Sequence, residues 1–395
     1  MGSWQKAVPL PHPPKDINGC VFHLTADEPP PLGSSAPWQP CISAGGHQVE
    51  KLNSTTRFKK LLAAIVAMTT IVCGPLSGAG QTDASDKFEI IRAHIQAWLS
   101  EASTAVLTIS ASRLKEEIMD DWSHQSDKYQ IISVRKPNDY KTAGHIPHAT
   151  NIYWVDLMRD EHLERLDPDK ILVLYCYYGH GSMISLTILG LLGYKSHSLD
   201  FGMMNWNLDA LVKEPWDQEA DYEVQMDAPR LKGSYPAPAL TSDQSCAKGI
   251  IKEMAAKYLA GEGSPIVRSS EIKAIVDNWE QKEAEYQIVD VRWRRDYESG
   301  HVPNAINIPW PEIAETENLR KLDPHRTVMT CSDNGQVGQV ATTVLSLLGY
   351  HAVNMLFGMM DWNQACVDSL DRWDGAASYP VECENQLVPH GSDSH

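Results

Sequence analysis

Short apolar runs alternate with longer amphipathic stretches through the middle and C-terminal parts of the chain, and the alternation occurs twice. Ile131 to Val134 and Ile171 to Tyr175 read as buried strands, because each is a brief, continuous apolar run between polar flanks. Met183 to Leu192 reads as a helix closed by Gly193, a residue suited to the left-handed cap position. Ahead of each set, Ile90-Ile91 through Trp98-Leu99 and Ile250-Ile251 through Tyr258-Leu259 carry apolar residues at helical spacing. The alternation predicts an α/β fold built on parallel sheets with helices on both faces.

The two sets are copies of one unit. Tyr129 to Arg135 matches Tyr286 to Arg292, and Gly144-His-Ile-Pro-His-Ala-Thr-Asn-Ile152 matches Gly300-His-Val-Pro-Asn-Ala-Ile-Asn-Ile308. Leu191 to Tyr194 matches Leu347 to Tyr350, and Phe201 to Asn207 matches Phe357 to Asn363. The offset stays between 155 and 157 throughout. The expected organisation is an extension over 1–50, a signal peptide over 51–79, domain 1 with its leading helix over 80–213 and a linker over 214–245. Domain 2 with its helix then covers 246–375, and a tail covers 376–395.

In each copy a strand ends at a cysteine, a glycine-containing loop follows, and a helix begins. Copy one reads Cys176-Tyr177-Tyr178-Gly179-His180-Gly181-Ser182; copy two reads Cys331-Ser332-Asp333-Asn334-Gly335-Gln336-Val337-Gly338. Glycines let such a loop curl so that successive N–H groups point inward, and the helix N-terminus adds partial positive charge at the same point. A sulfur held there is stabilised as thiolate or persulfide. A buried structural thiol is the commoner fate of a free cysteine. Two at matched positions of a repeat favour functional thiols at the carboxyl ends of the strands, where ligands of open α/β sheets bind.

These features together resemble rhodanese-like domains: the strand motif ending in Val-Arg, the Gly-His-(Ile/Val)-Pro-x-Ala segment and the strand–Cys–loop–helix, spanning roughly residues 105–375. The resemblance implies two tandem rhodanese-like domains, each a parallel sheet flanked by helices. It also implies that Cys176 and Cys331 attack a sulfane-sulfur donor, become persulfides and pass the sulfur on. The loops, Tyr177 to Ser182 and Ser332 to Val337, would bind the donor, a small sulfur anion such as thiosulfate or a polysulfide. The acceptor would be a thiol, a protein thiol included, or a cyanide-like nucleophile. No metal or organic cofactor is implied, because the cysteine itself carries the sulfur.

The pattern departs from the family in places. No Arg stands at Gly181, where many members place one, and His180 is the only loop residue that could become positive. Copy two has one extra residue between Cys331 and its helix, as in relatives that bind phosphate, but Val337-Gly338 follows where those carry an Arg clamp. Arg135 and Arg292 are expected to pair with Asp139 and Asp296, four residues on. Ser133 stands where copy two has Asp290, which weakens one loop support. His145, His301 and the Met203-Met204 and Met359-Met360 pairs read as structural. A non-catalytic scaffold in an extracytoplasmic redox or sulfur-metabolism complex is the alternative to a sulfurtransferase.

Composition narrows the partners. The formal net charge is −17, from 34 basic and 51 acidic residues, and no basic run supplies the stripe that nucleic acid requires. The cysteines show neither a C-x-x-C pair nor zinc spacing. Arg57 to Lys60 precedes an apolar stretch, Leu61 to Val72, and Ser77-Gly78-Ala79 offers small residues at a cleavage point. This reads as a secretory signal whose true start is near Val49 or Leu52, and it implies a periplasmic or secreted protein. Cys73 offers a lipid anchor as the lesser alternative, since Val72 is too large for the residue that precedes a lipidated cysteine. Cleavage would leave Cys176, Cys246, Cys331, Cys366 and Cys383; a Cys366–Cys383 disulfide would tie down the C-terminus.

Overall fold

A computed structural model describes residues 84–216, 220–230, 233–261 and 264–383, all within one compact unit. The expected extension, the signal segment and Cys73 lie outside them. Each apolar run becomes a strand because both its faces are covered. In domain 1, β1 (Thr108–Ile109), β2 (Tyr129–Ser133), β3 (Thr150–Asn151), β4 (Ile171–Tyr175) and β5 (Lys195–Leu199) form a sheet of order β1-β5-β4-β2-β3. In domain 2, β6 (Ile266–Val267), β7 (Tyr286–Asp290), β8 (Ile306–Asn307), β9 (Thr327–Cys331) and β10 (Ala352–Met355) repeat it as β6-β10-β9-β7-β8. Every pairing is parallel, so the central strands β4 and β9 end together with their neighbours at one edge of each sheet.

Four helices join the domains: α1 (Ala84–Ala102), α2 (His180–Leu192), α4 (Ala247–Leu259) and α6 (Gln336–Leu347). Between α2 and α4 runs the short α3 (Gly202–Trp206), and α5 (Ser269–Val276) follows β6. After β10 comes α7 (Gly358–Trp362), the counterpart of α3. The expected cap forms at Gly193, with φ +103 and N–H bonds from Gly193 to Gly190 and from Tyr194 to Leu189. The apolar faces of α1, α2, α4 and α6 meet in one core, with Ile91, Leu99, Leu189, Ile251 and Val344 buried, so the domains share interior rather than merely touching.

The segments that follow each domain cross over. Tyr222 to Gln225, expected as linker, lies on domain 2: Trp362 Nε1 donates to Glu223 O at 3.0 Å, and Gln225 bridges antiparallel to His301. Tyr379 to Glu382 lies on domain 1 in the same manner, with Trp206 Nε1 donating to Pro380 O at 3.0 Å and Glu382 bridging to His145. These backbone and indole bonds hold the C-terminus. Cys366 and Cys383 are free thiols, placed against Gly300 of domain 2 and Gly144 of domain 1 respectively, so no disulfide joins them. Cys246 is disulfide-bonded.

Candidate active site

At the end of β4 the chain leaves the sheet after Tyr175, and Cys176 is the first residue of the loop. The loop carbonyls of Cys176 and Tyr177 accept the N–H groups of Met203 and Met204, both at 3.0 Å. Gly202 makes that approach feasible: it has φ +55, and a Cβ there would sit 2.6 Å from Cys176 O. Gly179, at φ +95, turns the chain into α2, and Ser182 Oγ lies 3.7 Å from Cys176 Sγ. Cys176 forms part of the wall of a 910 Å³ cavity between the domains, together with Tyr177, Tyr178, His180 and Gly181.

The register of domain 2 overturns the expected second site. Ser133 pairs with Tyr175, and Asp290 pairs with Cys331, so Cys331 is the counterpart of Tyr175. Ser332 is the counterpart of Cys176: its carbonyl accepts Met359 N–H at 2.8 Å as Cys176 accepts Met203. Gly335 and Gly179 both lie three residues on, both with positive φ, so the extra loop residue does not exist. Neighbouring residues of a strand face opposite sides. Cys331 is therefore in the core, 1% exposed, with its Sγ 3.7 Å from Val289 O, and burial followed by the Asp290 charge pushes its thiol well up. The Ser332 hydroxyl accepts the N–H groups of Gly335 and Gly338, each at 3.1 Å.

Beneath the loops lie two buried arginines in unlike company. Arg292 clasps Asp290, with Nη2 to Oδ2 at 2.7 Å, and stands 3.8 Å from Asp333. Arg135 donates to the carbonyls of Ala210 at 2.8 Å and Gly144 at 2.5 Å and only weakly to Ser133 Oγ at 3.4 Å. Among the described residues it has no carboxylate partner, and it lies 5.6 Å and 5.9 Å from the ring centres of Tyr175 and Tyr177. The expected pairs with Asp139 and Asp296 do not form. Both arginines precede the short helix and run inward, whereas Asp139 accepts the Tyr177 hydroxyl and Asp296 meets Arg295.

The rhodanese-like domain family matches this chain over residues 110–209 and again over 273–365. The Bacillus subtilis (strain 168) protein named Putative sulfurtransferase YtwF is 35% identical over 98 residues, which cover 87% of it and 25% of this chain. The chain belongs to the rhodanese-like family. Among solved structures it is similar to the thiosulfate sulfurtransferase of Pseudomonas aeruginosa (16% identity, 74% of this chain and 49% of that one, TM-score 0.26). It is also similar to a rhodanese-like domain protein of Staphylococcus aureus (27%, 25% of this chain and 90% of that one, TM-score 0.20). The chain thus spans about half the length of the Pseudomonas protein. Family and named relative support a sulfurtransferase-type function.

Within the first rhodanese-like loop, His180 does not supply the positive charge expected of it. It is buried against domain 2, where Phe357 N–H points at Nε2 at 3.4 Å and Asn354 Nδ2 lies 3.3 Å from Nδ1. Burial pushes its imidazole down to about 4, which keeps it neutral near pH 7. Tyr178 donates to Glu214 O at 2.6 Å, and burial pushes its phenol up to about 12. Gly179 and Ser182 shape the loop without lining the cavity, and nothing from Ser332 to Val337 reaches it. In that second loop, Asn334 bonds Asp371 O, Gln336 bonds Asp200 of domain 1, and Gly335 packs against the His180 ring.

Other parts of the cavity wall were invisible in the motif. Trp154, Lys136 and Lys213 come from domain 1 outside the loop, Trp216 from the crossing segment, and Arg268 and Phe357 from domain 2. His145 and His301 stack on Tyr140 and Tyr297, with centroids 3.9 Å and 3.7 Å apart, and the four methionines are fully buried.

Proposed function

We propose that this chain is a sulfurtransferase in which Cys176 alone carries sulfur and domain 2 serves as the opposite wall of its site. The observation that carries the reading is the place of Cys176, only 4% exposed but first in the loop and on the cavity wall, against that of Cys331, one residue before the matching position and away from the cavity. The Cys176 thiolate attacks the outer sulfur of a donor such as thiosulfate or a polysulfide. The donor's S–S bond breaks with its electron pair leaving on the departing group, and a Cys176 persulfide forms. An acceptor thiol or cyanide-like nucleophile then takes the outer sulfur and returns the thiolate. In domain 2 the N–H groups of Gly335 and Gly338 are occupied by the Ser332 hydroxyl. Their counterparts, on Gly179 and Ser182, are the donors available to a persulfide in domain 1.

The test is the mass of the intact full chain after incubation with thiosulfate or polysulfide. One added sulfur is expected on the wild type and on Cys331→Ala, and none on Cys176→Ala. Sulfur that stays on Cys176→Ala and leaves with Cys331→Ala would sink the single-site reading; no gain on any form would favour a scaffold role. The basic-then-apolar segment over 51–79 supports export as part of this proposal, and N-terminal sequencing of the native protein tests it, since residues 1–79 should be missing and a chain that retains 51–79 would overturn it.

A further inference from the structure

Off the cavity wall, two buried hydroxyls stand in line with the sulfur of Cys176. Ser182, in the first turn of α2, places its Oγ 2.8 Å from Ser198 Oγ of β5 and 3.7 Å from Cys176 Sγ, within reach of a sulfur acceptor. Neither serine is exposed, and neither lines the cavity. A buried hydroxyl proton must be given to an acceptor, and this fixes the direction of the pair. Ser182 Oγ is the one hydrogen-bond neighbour of the Ser198 hydroxyl among the described residues, so Ser198 donates and Ser182 accepts. The Ser182 proton then has two places to go: the carbonyl of Gly179, at 2.9 Å, or the Cys176 sulfur. Gly179 O also accepts the Met183 N–H at 3.0 Å, so it keeps a partner when Ser182 turns away.

Domain 2 lacks this pair. Strand register aligns Ser198 with Asn354, since the first pairs with Leu174 and the second with Thr330, each two residues before the loop opens. Gly338 stands where domain 1 has Ser182, six residues after the opening position. Asn354 donates from Nδ2 to Gly335 O at 2.9 Å and takes the Thr330 hydroxyl on Oδ1 at 3.2 Å, so its amide ties the second loop internally. A Cβ at position 338 would lie 2.3 Å from Asn354 Oδ1, which excludes a serine there while Asn354 is present. Ser182 with Ser198 and Gly338 with Asn354 are therefore two mutually exclusive ways to fill the same buried space. The two-hydroxyl one belongs to the domain whose loop opens with a thiol. The charged and titratable groups about the first loop, Arg135, Tyr177, Tyr178 and His180, make no hydrogen bond to either serine among the described residues.

Resting on the reading of Cys176 as the sulfur carrier, we propose that Ser198 is a positioning residue for it. By giving its own proton to the Ser182 oxygen, Ser198 leaves the Ser182 hydroxyl free to turn from Gly179 O to the Cys176 sulfur as negative charge develops there. When the thiol ionises, its proton passes to water, the Ser182 O–H turns onto Sγ, and no other bond is made or broken. A hydrogen bond to a charged acceptor is stronger than one to a neutral acceptor, so the turn favours the thiolate over the thiol. Once a donor has been attacked, the charge lies on the outer sulfur of the persulfide, and the Ser182 proton returns to Gly179 O. Without Ser198 the Ser182 oxygen loses its donor, and donation to Gly179 O, at the shorter distance, prevails.

The experiment follows the rate at which iodoacetamide alkylates Cys176 in the full chain, read by mass at the Cys176 peptide from about pH 5 to about pH 10. The rising limb reports thiolate formation and the plateau reports access. Ser198→Ala should lower the rate about threefold on the rising limb, in line with one neutral hydrogen bond, and leave the plateau within about 1.5-fold. Ser182→Ala should lower the limb by at least about threefold. Because Ser198 acts through Ser182, the double variant should be no slower than Ser182→Ala alone. Ser198→Thr, which keeps the hydroxyl on a side chain suited to a strand, should restore the limb. Losses that multiply in the double variant, or a fall of plateau and limb together, would overturn the inference. The carrier reading is judged apart, by the one-sulfur mass gain: a Cys176 that alkylates as expected but takes sulfur from no donor would bring down that reading and leave the role of Ser198 intact.

Discussion

Under the loop of domain 2, Arg292 faces two carboxylates; under the loop of domain 1, the matching Arg135 faces none among the described residues. The loops themselves have equal length, the same glycine turn and the same anchoring by a following short helix. Position 176 is a cysteine on the cavity wall, and position 332 is a serine whose hydroxyl plugs its own loop. One scaffold thus supports two electrostatic outcomes. On the proposed reading, an uncompensated guanidinium would raise the potential beneath the loop that holds sulfur, while the Asp290 pair cancels that charge beneath a loop that has no sulfur to hold. The residue that opens the loop and the charge beneath it differ together between the two domains.

The strongest way to break this comparison is to exchange the nucleophiles. Cys176→Ser combined with Ser332→Cys places a thiol at the matching position of domain 2, walled from the cavity and above a neutralised arginine. Complete loss of donor-derived sulfur is expected by intact mass. Loading of the relocated thiol comparable to that of the wild type would show that the domains are interchangeable.

Acid and base should weaken the two loops in opposite senses. With its imidazole near 4 instead of 6.5, folded His180 binds its proton less tightly than the unfolded chain does. Its stabilisation is complete above pH 6.5 and is lost as pH falls toward 4. Asp333 behaves inversely: burial pushes its carboxyl up to about 7 from 3.8, so its contribution is complete below 3.8 and is lost as pH rises through about 7. His180→Gln, which copies Gln336 of domain 2, should flatten the acid limb of stability by up to about 3 kcal/mol. Asp333→Asn should stabilise at pH 8 and not at pH 4, by about 1 kcal/mol given partial exposure. Urea midpoints for both variants across that pH range check the signs.

A smaller effect sharpens the electrostatic half of the comparison. Ser133→Asp rebuilds in domain 1 the pair that Asp290 makes in domain 2, where the same scaffold accommodates it. Sulfur loading should slow about tenfold, the equivalent of one pKa unit. Ser133→Asn, equal in size and uncharged, should stay within about twofold. Equal slowing by both would assign the effect to packing instead of charge.

Much of the fold was legible because it rests on local signals. The duplicated unit, the apolar runs of β2 and β4 and the glycine after α2 all appear where pattern and cap chemistry place them. Matching by residue identity misplaces Cys331, because strand register and not identity decides which way a side chain faces. The offsets around it are 156 or 157, its own is 155, and a one-residue slip turns a strand side chain from one face to the other. The arginine pairs failed because spacing of four residues brings side chains together within a helix, and both arginines stand before one. Arg268 and Phe357 could not be anticipated, since only packing between domains brings them to Cys176.

The crossed segments bear on when domain 1 becomes complete during synthesis. Trp206 and Asn207 of domain 1 await acceptors on Pro380 and Tyr379, 174 and 172 residues further along the chain. A chain emerging from its N-terminus will hold domain 1 unfinished, with a part-buried indole N–H unsatisfied, until that later segment returns to it. A product truncated before Tyr379 therefore carries Cys176 on an incomplete support.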